Sequence, residues 1–177
     1  MATITTAALP AASPAATPDA LGPISPGHPW WSGRTPSEPS SSERIVSHDL
    51  PTRAVQARRH ARDTFWTLLD VRAGEPTSKG TVNGGKLWNA YMAAAKVQQY
   101  AGKGMRGDTY TGTVPPPLGT AFDDTKRGYE MISQARVGMH KLLEPGAAAT
   151  SAELQAVAAQ VLDTFQVFDA VVQGDKP

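Results

Sequence analysis

The chain has 177 residues, with 17 Lys and Arg against 16 Asp and Glu, four His and no Cys. A net charge of +1 supplies no global field towards nucleic acid or a membrane, and zero Cys excludes disulfides, thiolate zinc sites and thiol catalysis. No run approaches the ~20 apolar residues that span a bilayer. No Lys or Arg precedes Arg34, so neither a secretory leader nor an Arg-rich transit peptide is expected. The expectation is cytoplasmic synthesis without membrane contact.

Residues 1–45 read as an extended N-terminal arm rich in Pro, Ala and Ser. Eight of the 15 prolines fall in the first 39 residues. Proline removes backbone donors and pushes its predecessor into extended geometry, so neither helix nor sheet runs through this stretch. Leu21, Ile24, Trp30 and Trp31 interrupt the low complexity with apolar groups that a spacer has no use for. His28 to Arg34, His-Pro-Trp-Trp-Ser-Gly-Arg, therefore reads as an anchor that docks in a groove, on its own domain or on a neighbour. The partner-binding residues assigned to it are Ile24, Trp30 and Trp31.

Residues 46–177 read as a mainly α domain resembling a four-helix bundle, with long irregular loops. The first helix is expected from Leu50 to Val71, with Asp49 as N-cap and Pro51 in the first turn. Its apolar stripe is Ala54, Ala57, Ala61, Phe65 and Leu68. A loop over 74–85 follows, with Asn83-Gly84 as a turn signal. The second helix is expected from Lys86 to Ala101, with Trp88, Tyr91, Met92 and Ala95 on its apolar face and Gly102 and Gly104 ending it.

Residues 102–119 carry five glycines and Pro115-Pro116-Pro117, with Thr109 to Val114 alternating like a short strand. A loop of that length is usually functional or ordered by a partner. Thr120 and Asp123 then cap a third helix over 121–144, whose stripe is Phe122, Tyr129, Ile132, Met139 and Leu143. The fourth helix opens on a T-x-x-E capping box, Thr150 and Glu153. Ala158, Val161, Phe165, Phe168 and Val172 follow at 3-4-3-4 spacing, flanked by Leu154 and Leu162.

Three motifs carry functional suggestions. Gly80 to Lys86 fits the first seven positions of the phosphate loop G-x-x-x-x-G-K-[ST], but Leu87 replaces the Mg²⁺-binding hydroxyl and no strand precedes it, so a plain loop is expected. Residues 44–62 hold five Arg against one Asp. Arg58, Arg59 and Arg62 with Trp66 are the candidate nucleic-acid contact, through non-specific phosphate pairing and base stacking. Arg106-Gly107-Asp108 is a tripeptide too short to weigh. The histidines, His28, His48, His60 and His140, show no metal-ligand spacing, and no Ser-His-Asp grouping appears. No cofactor, metal or catalytic residue is expected.

The leading expectation is a non-enzymatic structural protein of a multi-subunit particle, such as a virion coat, connector or head–tail component. Its partners would be copies of itself or neighbouring structural subunits. The alternatives are a secreted bacterial effector or accessory protein, and a small helical nucleic-acid-binding protein.

Overall fold

The computed structural model describes residues 30–37, 50–106 and 120–174, with the backbone alone at 50–52, 106 and 120. Four helices fill it: α1 (Leu50–Leu69), α2 (Val82–Arg106), α3 (Thr120–Leu142) and α4 (Ser151–Gly174). Each packs on its neighbours in sequence, and α4 closes the ring against α1. The arrangement is a four-helix bundle, and no strand occurs among the described residues. The nearest approach to one is an isolated antiparallel bridge between Pro76 and Ala148.

Helices α1 and α4 follow their sequence periodicity. Ala54, Ala57, Ala61, Phe65 and Leu68 are all buried on the inner side of α1. Leu154, Ala158, Val161, Leu162, Phe165, Phe168 and Val172 are buried on α4. Both halves of the capping box are made: Thr150 N donates to Glu153 Oε1 (3.0 Å) and Glu153 N donates to Thr150 Oγ1 (3.1 Å). Two donors that the first helical turn cannot satisfy are thereby paired. In α3, Ile132 and Met139 are buried as expected and Phe122 and Tyr129 are half-buried, while Leu143, buried too, lies just past the helix end at Leu142. Gly128 lets α3 approach α4 closely, since a Cβ there would sit 2.7 Å from Phe168 Cζ.

Helix α2 departs from expectation in both its limits and its face. It starts at Val82 and runs through Gly102 and Gly104 to Arg106. The Asn83-Gly84 pair is thus part of its first turn. Asn83 is buried and brackets Arg72, accepting from its N (2.7 Å) and donating through Nδ2 to its O (2.9 Å). The buried apolar side chains of α2 are Leu87, Ala90, Ala94, Val97 and Ala101. Trp88 and Met92, expected inside, are 37% and 44% exposed.

The loops α1–α2 and α3–α4 meet at one end of the bundle. Gly74 N donates to Ala149 O (2.8 Å), Thr77 N to Ala147 O (2.9 Å), and the buried Thr77 hydroxyl to Leu142 O. This network explains how an irregular stretch is held rigid. The Asp49 cap, the Thr120 side chain, the segment Thr109 to Val114 and the proline triplet lie outside the described residues.

Candidate functional site

Residues 30–37 lie against the bundle as a short strap. Trp31 is buried and meets Phe65 of α1 edge-on, ring centres 5.4 Å apart at 83°. Its Nε1 donates to Arg34 O (3.0 Å), folding the strap back on itself. Gly33 permits that fold, because a Cβ there would lie 2.7 Å from the indole. Trp30 is half-buried, and its Nε1 donates to Val71 O (2.8 Å), just beyond the end of α1. Pro36 is buried alongside. The Trp-Trp-Ser-Gly-Arg sequence is thus a turn that presents one indole to the core and the other to the buried Val71 carbonyl beyond α1. Both tryptophans dock on their own domain. Ile24, the third residue assigned to the anchor, lies outside the described residues.

The four residues suggested for nucleic acid are brought onto one helix but not into one open surface. Arg58 is buried, and its Nη1 pairs with Asp169 Oδ1 of α4 at 2.7 Å. Arg62 is buried too, and Trp66 is half-buried, packed edge-on against Phe65 at 5.9 Å. Arg59 alone of the three arginines is only half-buried. A helical wheel puts Arg59 and Arg62 beside Trp66, roughly opposite the alanine stripe, but long aliphatic stems lie along apolar surface, and α4 supplies a carboxylate for Arg58. Nothing in the sequence near α1 signals Asp169, which stands 111 residues away.

Around His60 the α1–α2 seam is basic and aromatic. His60 stacks on Tyr100 at 5.3 Å and 2°, with Asp63 Oδ2 3.9 Å from its Nδ1. Arg53 and Lys103 approach the Tyr100 ring at 5.8 and 5.5 Å. Burial holds the imidazole pKa below its ordinary value. Asp63 opposes that shift, while Lys96 and Arg59 reinforce it.

The phosphate-loop-like sequence has a structural explanation. Thr81 caps α2 by accepting from Gly84 N (2.8 Å), and Gly85 N donates to Thr81 O (2.9 Å). A Cβ at Gly84 would fall 1.9 Å from Ser78 O, and Gly80 has φ +93°. These amides are occupied by the cap, so the glycines serve a tight helix start. Among the described residues, no group of three His, Asp or Glu side chains could hold a metal ion. Nor is any helix of the described residues long and apolar enough to cross a membrane.

Comparison with protein-family models, curated proteins and solved structures finds no match.

Proposed function

We propose that the protein is a non-enzymatic structural subunit of a multi-subunit assembly, in which the tryptophan strap of one copy docks on the bundle of the next. The observation that carries this reading is the strap itself. Eight described residues place a whole indole in the core, yet they join α1 only through residues 38–49. That stretch can extend to roughly 45 Å, against about 30 Å for the whole of α1. In the proposed exchange the strap of one copy leaves its own groove and fills the identical groove on a neighbour, with every contact reproduced. Exchange of an identical element is a low-cost route to oligomers. A virion coat, connector or head–tail subunit is the finer form of this proposal, supported by the pairing of a proline-rich N-terminal sequence with a helical bundle.

The test uses the absence of native cysteine. Ser32→Cys, at an exposed strap position, gives a single labelling site. Donor- and acceptor-labelled populations are mixed, and energy transfer is followed alongside mass by light scattering. Strap exchange gives oligomers whose transfer grows over time. A monomer at every concentration, with no transfer, would remove the proposal.

A further inference from the structure

The outward side of α2 is the most distinctive surface of the bundle. With its inner stripe committed to the core, the helix turns Trp88, Asn89, Met92, Lys96 and Gln99 to solvent. Its 25 residues include Lys86, Lys96, Lys103 and Arg106 and not one Asp or Glu. In a chain whose total charge is +1, that is a local concentration of positive charge.

The neighbouring elements add to it. Lys79 Nζ stands 4.8 Å from the centre of the Trp88 ring, and Trp88 and Tyr91 stack at 5.5 Å and 25°. The Arg136 guanidinium lies 4.2 Å from the Tyr91 ring centre. Cation, ring, ring and cation are therefore linked by successive contacts across α2 and α3. Arg136 is further fixed by donating to Gln98 Oε1, and Gln98 Nε2 donates to Ser133 Oγ at 2.6 Å. Arg136 Nε has no hydrogen-bond partner among the described residues. Beside this array opens a cleft of about 490 Å³, lined by Tyr91, Arg136, His140 and Lys141 together with the carboxylate-bearing Glu144. Val137, 57% exposed, adds an apolar shoulder.

We propose that single-stranded nucleic acid lies along this face, with a base stacked on Trp88 and phosphates held by Arg136, Lys141 and Lys79. The ligand has to be polyanionic and has to offer flat π surfaces, and a single strand does both. Stacking on an exposed indole is tolerant of base identity, and Arg136, held in place by the Tyr91 ring and Gln98, supplies a fixed positive charge for phosphate. A duplex hides the base faces that Trp88 would use. An acidic helical peptide matches the charge but leaves the Trp88–Tyr91 stack without a flat partner. Lys79 is exposed, so its ammonium can swing from the indole face to a phosphate as the base arrives. This site is separate from the strap groove, and its test is independent of strap exchange.

The experiment titrates the full chain with a labelled oligothymidylate at low and moderate salt. Neutralising three or four phosphates gives a log–log salt slope of about −2 to −3 for a single strand. Trp88→Ala should weaken binding roughly tenfold, as expected for one lost stacking contact, while leaving helical circular dichroism unchanged. Trp88→Phe should retain most of the affinity but lose the fluorescence quenching, assigning the quench among the four tryptophans. Arg136→Gln should weaken binding and flatten the salt slope by roughly one contact. The proposal is overturned if no strand binds at low salt, if Trp88→Ala binds as tightly as the parent, or if duplex or polyglutamate competes better than the single strand.

Discussion

Helices α1 and α2 pack against each other and draw on much the same residues, yet they place their aromatic groups on opposite sides. In α1 the alanine stripe continues into Phe65 and Leu68, and small and large residues together face the core. In α2 the core receives Leu87, Ala90, Ala94, Val97 and Ala101, Trp88 and Met92 turn outward, and Tyr91 lies half-buried against the edge of the core. The inner residues of both helices are dominated by alanine. Small side chains bring two axes to the short end of the usual 8–10 Å separation, so more atoms of both backbones come into dispersion contact. A tryptophan at this seam would wedge the helices apart. Close packing of small groups has therefore displaced bulk hydrophobicity as the selector of the inner face.

The sharpest way to break that comparison is to truncate the large side chain on which the α1 side depends. Phe65 is fully buried and meets both Trp31 and Trp66. Phe65→Ala should cost about 3–5 kcal/mol in chemical denaturation and should expose the strap indole, red-shifting its emission. A cost below about 1 kcal/mol would show that the strap and α1 do not share a core. Gly128→Ala probes the same packing logic across α3 and α4. The added methyl meets the buried Phe168 ring at 2.7 Å, and overpacking of this kind costs roughly 1–3 kcal/mol.

These examples also show what was legible in the sequence. The α4 stripe and its capping box were readable because period and cap agree, leaving one register. The α1 stripe was readable for the same reason. In α2 two stripes of similar period coexist, their centres about 130° apart on the helix, and counting apolar bulk selects the wrong one. The glycines at 102 and 104 cost propensity but not structure, since tertiary packing carries the helix through them to Arg106. The tryptophan pair was legible as apolar surface that something has to cover. Its acceptor, the Val71 carbonyl, was not, because a backbone carbonyl has no signature in sequence. The burial of Arg58 and Arg62 was equally hidden, since the carboxylate that pairs with Arg58 comes from the far end of the chain.

A middling effect is expected where α1 meets α4. Asp169→Ala removes the carboxylate 2.7 Å from Arg58, whose side chain is 10% exposed against 33% for Asp169. Losing one partner of a fully buried pair costs several kcal/mol, but the partial exposure of Asp169 reduces this to about 1–2 kcal/mol. Asp163→Ala, exposed on the same helix, should stay within about 0.5 kcal/mol. Equal losses at both sites would argue that charge on α4, rather than the Arg58 pair, is what matters.

The His60–Tyr100 stack at the α1–α2 seam gives a smaller, pH-dependent signal. Burial depresses the His60 pKa in the folded chain, so as pH falls the unfolded chain takes up this proton first. The contribution of a neutral His60 is complete above about pH 6.5, the value of a free imidazole, and is lost as pH falls through and below it. Denaturation midpoints between pH 7.5 and 5.5 should therefore decline, and His60→Gln should flatten that decline. An unchanged slope in His60→Gln would assign the decline to other groups.

The smallest effects should come from the outer stripe of α2, and they decide its register. Trp88 and Met92 touch solvent rather than the core, so Met92→Gln should change stability by less than about 0.5 kcal/mol. Trp88→Ala should cost under about 1 kcal/mol, the scale of its contacts with Lys79 and Tyr91. Leu87→Ala, one position away and fully buried, should cost about 2–5 kcal/mol. Adjacent residues on a helix point roughly 100° apart, so a rotation of α2 by one position would reverse the order of the two losses. Urea denaturation of both variants reads that order directly. If Trp88→Ala proved the costlier change, the aromatic stripe would be the inner face, and the surface argued to stack bases would not exist.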